Sequence, residues 1–202
     1  MLPVLSYIIL RGKCRQCRSH ITLRYPLVEA ITGLLFLACY IKFGISWTLV
    51  SRLVFICFLI VIALIDLENL IIPNIIVFPG ALAGLLLTFL SGSPSWFSGI
   101  LSGLGAGLFF FLIWFFYPAG MGEGDVKLVL MLGLFLGWPG IGIAIFLSAL
   151  AGSVAGGISI ALKGSGRKTQ IPFGLYLAIG STAALFFGDR LVTWYLNFLG
   201  IY

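Results

Sequence analysis

The feature that most constrains this chain is a row of apolar runs, most of them about 20 residues long, parted by short stretches that hold glycine, proline and nearly all of the charge. A helix of about 20 residues covers the ~30 Å hydrocarbon thickness of a bilayer. Charged residues make up 9% of the chain and hydrophobic residues 61%, with a mean hydropathy of +1.18. Soluble domains carry about 25% charged residues, and no soluble core could enclose this much apolar side chain. In lipid each backbone polar group must be satisfied within its own segment, which favours helices. The expected fold is all-α: a polytopic transmembrane helix bundle of about six full spans, one short half-length helix and an apolar C-terminal segment.

The runs divide the chain into a basic head, 1–25, and a membrane domain, 26–202. Pro26 opens the first span, about 26–43, and Ser46 caps a second that reaches about Ile65. The apolar run then stops at Asp66-Leu67-Glu68-Asn69. Pro73 and Asn74 restart a helix to about Leu90, Ser91-Gly92-Ser93-Pro94-Ser95 is an uncharged turn, and a fourth span covers about 97–117. A short apolar helix, about 126–136, covers roughly half a bilayer. Gly137-Trp138-Pro139-Gly140 turns it into a span at about 141–162. A last span, about 171–187, is broken by Gly188-Asp189-Arg190, and the remaining 191–202 suits an interface.

Orientation follows from the basic residues. With the head inside, nine of the twelve lie on the cytoplasmic side, and Lys42, Arg52 and Arg190 lie outside. The head and its basic residues also suit contact with anionic lipid. A nucleic-acid partner has no support, since the basic run is short and carries no recognisable binding fold. Small residues recur at four-residue spacing in Gly80/Gly84, Gly99/Gly103/Gly107, Gly133/Gly137 and Ser148/Gly152/Gly156. Such spacing favours close packing of helices in lipid, and a compact bundle can hold side chains at fixed separation.

The chain holds six acidic residues, and two of them sit in Gly120-Met121-Gly122-Glu123-Gly124-Asp125-Val126-Lys127-Leu128. A carboxylate at a membrane boundary is costly unless it has a task or a partner. The topology brings Asp66 and Asp125, 59 positions apart, to the same face. Taken singly, each reads as a boundary residue. Taken as a pair they can share a proton, one polarising a carbonyl while the other takes a proton from water. The flanking Gly122 and Gly124 let backbone approach such a site closely. Glu68 and Glu123 read as solvated boundary charges, Asp189 as the partner of Arg190, and Lys127 mainly as an orientation signal. Cys39 and Cys57 lie in apolar runs and read as packing, whereas Cys14 and Cys17 form a C-x-x-C in the head.

Gly122-Glu123-Gly124-Asp125 resembles the G-x-G-D signature of intramembrane aspartic proteases, and Val126-Lys127-Leu128 narrows the resemblance to the type IV prepilin peptidases. Three more stretches agree in order. They are Asp66 to Asn74, the head from Arg11 to Glu29, and Ile171-Pro172-Phe173-Gly174. The resemblance implies an aspartic endopeptidase that removes the basic leader from type IV prepilins or pseudopilins after a glycine, at the cytoplasmic face of a bacterial inner membrane, for pili or type II secretion. It implies Asp66 and Asp125 as the catalytic pair, with Gly122, Gly124, Lys127, Pro73 and Asn74 as substrate or loop support. The peptidase step needs no cofactor. Zinc is implied at Cys14 and Cys17, and S-adenosylmethionine where N-methylation of the new terminus is retained. Bacterial members usually carry an earlier span and a first C-P-x-C pair, so a four-ligand zinc site here would need His20, another chain or an N-terminal part. Two alternatives stand beside this reading. One is another G-x-G-D protease such as a preflagellin peptidase; the other is a proton-coupled transporter, which lacks an inverted repeat or a mid-span acid to support it.

Overall fold

The computed structural model describes residues 7, 9–10, 12–13, 19–118, 120–163 and 172–200. Six helices are long and apolar enough to cross a membrane, and the described residues contain no strand beyond one isolated bridge between Lys13 and His20. The chain falls into two compact units, 1–45 and 46–202.

The first unit contains α1, Arg24–Phe43. It ends at Gly44, whose N–H donates to Tyr40 O at 2.9 Å. Lys13 forms an isolated bridge with His20, and the Ile21 N–H donates to Gly12 O. Cys14 and Cys17 lie outside the described residues.

The second unit holds α2, Trp47–Asn69, α3, Asn74–Ser91, α4, Trp96–Phe116, α5, Glu123–Lys163, and α6, Phe173–Phe198. Ser46 caps α2 as its sequence suggests, accepting the Leu49 N–H at 3.2 Å. The far end of α2 runs four residues past Ile65, the end that the apolar run marks. Leu70 closes it in the left-handed conformation, φ 55°, by donating its N–H to Asp66 O. Asp66 therefore sits in the last turn of a helix.

α5 is broken where the sequence places a turn. Gly137 has φ 63°, a conformation that glycine adopts without steric cost. Trp138 is extended at φ −92°, ψ 137°, as a residue before proline tends to be. The first part, 123–136, is about 21 Å long and cannot cross a ~30 Å core. It is buried along its length through Leu128, Val129, Met131, Leu132, Leu134 and Phe135. The small-residue stripes account for this. A methyl at Gly84 would stand 2.9 Å from the Phe135 ring, and Gly103 lies against the Leu130 carbonyl and Leu134. Gly133 meets the backbone of Gly103 itself. The stripes of α3 and α4 thus both face the half-helix, which is the close packing that their spacing predicts.

The C-terminal end departs from expectation. The sequence suggests a break at Gly188-Asp189-Arg190, yet α6 continues through it to Phe198. Gly188 is buried, and Ile143 Cδ1 lies 3.8 Å from where its Cβ would be. Here glycine is a packing position, tolerated inside a helix at about 1 kcal/mol against alanine.

Candidate active site

Asp66 and Asp125 come from opposite kinds of helix end. Asp66 lies in the last turn of α2, and Asp125 is the third residue of α5. Both are buried, at 4% and 8% exposure, although their flanking residues Glu68 and Glu123 are exposed. The two positions border the same residue, Ile72, which packs against Gly174 beside Asp66 and against Gly124 next to Asp125.

Each carboxylate is fixed by backbone donors. Asp66 Oδ2 accepts the Leu175 N–H at 2.9 Å, and the Gly174 N–H is directed at the same group. Both donors belong to the first turn of α6, where N–H groups lack intrahelical partners and the helix dipole favours an anion. Gly174 is required there, because a methyl would stand 2.9 Å from Asp66 Oδ2. Asp125 Oδ2 accepts the Gly122 N–H at 3.3 Å, while the Asp125 N–H donates back to Gly122 O at 3.1 Å.

Ile72 joins the two halves. Its Cβ lies 2.8 Å from the Cβ position of Gly124, and its Cδ1 lies 3.1 Å from that of Gly174. Pro73 follows it at the N-cap of α3 and holds the approach extended at φ −70°, ψ 130°. Lys127 then ties α5 to α3. Its Nζ donates to Asn74 Oδ1 at 3.1 Å and pairs with Glu123 one turn earlier. Of the support residues expected from the sequence, Gly122 bonds to Asp125, Gly124 packs on Ile72, Pro73 caps α3, and Lys127 connects Asn74 of α3 with Glu123 of α5 rather than only marking orientation.

Sequence reasoning missed Ile72, Leu175 and Arg52. A backbone N–H such as that of Leu175 leaves no mark in a sequence. Arg52, read as an outside boundary charge, is buried at 6% exposure and bonds to the backbone of Phe135 and Ser93. Its signal was available, as the one basic residue inside the apolar run of α2.

The zinc expectation rests on Cys14 and Cys17, outside the described residues. His20, the third donor nearby, is exposed, and among the described residues no three His, Cys, Asp or Glu side chains converge on a metal position. Two thiolates and one imidazole would be three of the four ligands that a structural zinc takes.

The fold and the buried pair together define a multi-pass membrane protein with a polar site at one end of its helix bundle. Residues 53–157 match the type IV leader peptidase family, and residues 1–43 match the bacterial peptidase A24 N-terminal domain. The chain belongs to the type IV leader peptidase family. It is 37% identical over 207 residues to a prepilin leader peptidase/N-methyltransferase of Aeromonas hydrophila, covering 98% of this chain and 70% of that protein. It is 34% identical over 199 residues to the protein of the same description in Bacillus subtilis strain 168, covering 98% and 79%. A Legionella pneumophila relative, 35% identical over 202 residues, has the same description. No solved structure matches the chain.

Proposed function

We infer that this chain is a prepilin peptidase, an aspartic endopeptidase that cuts the leader from prepilins or pseudopilins. The observation that carries the aspartic reading is the approach of two buried carboxylates, one at the end of α2 and one at the start of α5, each held by backbone N–H groups. No nucleophilic hydroxyl or thiol is needed at such a pair. One carboxylate takes a proton from water, whose oxygen attacks the scissile carbonyl carbon. The other, protonated, donates to the carbonyl oxygen as negative charge develops there. A proton then passes to the leaving nitrogen, the C–N bond breaks, and the pair returns to its starting charge. Glycine at 124 lets Ile72 pack against the start of α5, and glycine at 122 lets its N–H approach the Asp125 carboxylate.

The site lies at the cytoplasmic face of a bacterial inner membrane. Support comes from the excess of basic residues on that side, including the head and Lys127. The relatives' description also names an N-methyltransferase. Zinc at Cys14 and Cys17 and S-adenosylmethionine as methyl donor would belong to that second activity, which the carboxylate pair does not require.

The test is incubation of the purified chain with a tagged prepilin, followed by mass spectrometry of the product. Asp66→Asn and Asp125→Asn should each reduce cleavage by about a thousandfold or more while the protein stays folded, since a missing member of a paired acid–base site removes most of the acceleration. Full activity in either variant would sink the reading. The same spectrum shows whether the new terminus carries a methyl group.

A further inference from the structure

The half-helix 123–136 ends inside the protein. The break at Gly137 and Trp138 leaves its last carbonyls without partners in their own helix. Three other helices reach that end. Thr88 Oγ1 of α3 donates to Leu134 O at 2.9 Å. Ser98 Oγ of α4 accepts the Trp138 N–H at 3.1 Å. Arg52 of α2 donates through Nη1 to Phe135 O and through Nη2 to Ser93 O at 3.0 Å.

Arg52 differs from the other two in the helix that carries it. α2 also bears Asp66, and the half-helix also bears Asp125. Asp66 lies 14 residues after Arg52, and Phe135 lies 10 residues after Asp125. At 1.5 Å per residue these stretches measure about 21 and 15 Å, a difference of about 6 Å that a long guanidinium side chain spans. Arg52 therefore links the far ends of the two helices that carry the aspartates, with the Phe55 and Phe135 rings stacked beside it at 4.7 Å between centroids.

We propose that Arg52 is a positioning residue, which clamps the end of the half-helix to the helix bearing Asp66 and so fixes the depth at which Asp125 meets Asp66. The proposal rests on the reading of the two aspartates as the reacting pair. The chemistry suits arginine. A planar guanidinium serves two carbonyls in fixed directions at once, and its charge faces the negative end of the helix dipole. A lysine would offer one point charge with no fixed fork.

The experiment compares Arg52→Met, Arg52→Lys and Thr88→Val in the full chain. It reads kcat and KM on a tagged prepilin, the melting temperature, and the yield of a short thiol cross-linker between the positions of Asp66→Cys/Asp125→Cys. The cross-linking arm uses a chain whose four native cysteines are replaced. A displacement near 1 Å at reacting groups costs up to about a hundredfold. Arg52→Met should therefore lower kcat about tenfold or more with KM within about twofold, and should reduce the cross-linking yield. Arg52→Lys should recover part of both. Thr88→Val loosens the same helix end without touching α2, so it should lower the melting temperature while kcat and cross-linking stay near wild type. If Arg52→Met and Thr88→Val lower the melting temperature alike and leave kcat and cross-linking unchanged, Arg52 is only a structural cap and the proposal fails. Should Arg52→Met not fold, Arg52→Lys decides, because wild-type kcat and cross-linking in that variant overturn the need for a fork. Cross-linking reads register without cleavage, so a chain that never cuts prepilin defeats the functional reading and leaves this result standing.

Discussion

Replacing Gly174 with alanine adds one methyl group at the head of α6, and its consequences can be worked from the surrounding atoms. The new carbon would stand 2.9 Å from Asp66 Oδ2, 3.1 Å from Asp66 Cγ and 3.1 Å from Ile72 Cδ1. Ordinary contact between a carbon and these atoms begins near ~3.5 Å, so the carboxylate must retreat by about half an ångström. Asp66 Oδ2 also accepts the Leu175 N–H at 2.9 Å, and the retreat lengthens that bond past useful range. Losing a buried hydrogen bond at a carboxyl group costs about 1–3 kcal/mol. The rate should suffer more, because a misplaced reacting group costs up to about a hundredfold per ångström. The expected result is a kcat reduced about ten- to a hundredfold with a modest fall in melting temperature. Gly105→Ala is the control. Nothing lies within 4 Å of its Cβ position, so alanine there should leave activity intact. The assay is cleavage of a tagged prepilin by detergent-solubilised protein, followed by gel shift and mass spectrometry. Wild-type kcat in Gly174→Ala would refute the claim that α6 holds Asp66 in its working position.

Lys127→Met removes the tie to Asn74 and the pair with Glu123. Because that pair is largely exposed, stability should change by under about 1 kcal/mol, with a loss of cleavage smaller than that of Gly174→Ala. Gly133→Ala presses a methyl onto the backbone of Gly103, where nothing flexible can give way, so the yield of folded protein should drop sharply on size-exclusion chromatography. Phe135→Ala empties the space between Phe55 and Gly84 and should cost about 3–5 kcal/mol in chemical denaturation. Cleavage rate plotted against pH should be bell-shaped, since a pair that works by sharing one proton fails when it holds two or none. A rate unchanged from mildly acidic to alkaline pH would contradict proton sharing.

Much of this architecture is legible in the sequence because lipid leaves few choices. Run lengths give the spans, and the scarcity of acids directs attention to Asp66 and Asp125. Counting crossings puts those two on one face. The glycine spacings point to close packing, and the structure gives them a common object in the half-helix. What was hidden is of another kind. The end of α2 depends on Leu70 in a conformation that leucine disfavours, so no local signal announced it. Gly188 reads as a breaker in water, whereas between packed helices its missing side chain is what counts. Arg52 was visible as a charge but was counted by position along the chain. Its burial follows from where Ser93 and Phe135 arrive, 41 and 83 residues later. The donors to Asp66 come from the head of α6, 109 residues away, through main-chain groups that every residue except proline possesses.

The half-helix has a consequence for biogenesis. A segment of 14 residues, walled by the glycine faces of α3 and α4, is too short to persist alone as an inserted span. Its place in the bilayer exists only after those two helices have been laid down, which is also their order of synthesis. Asp125 is thus delivered to Asp66 as a late event in assembly. A nascent chain stalled before residue 123 carries Asp66 without Asp125, and so holds no pair.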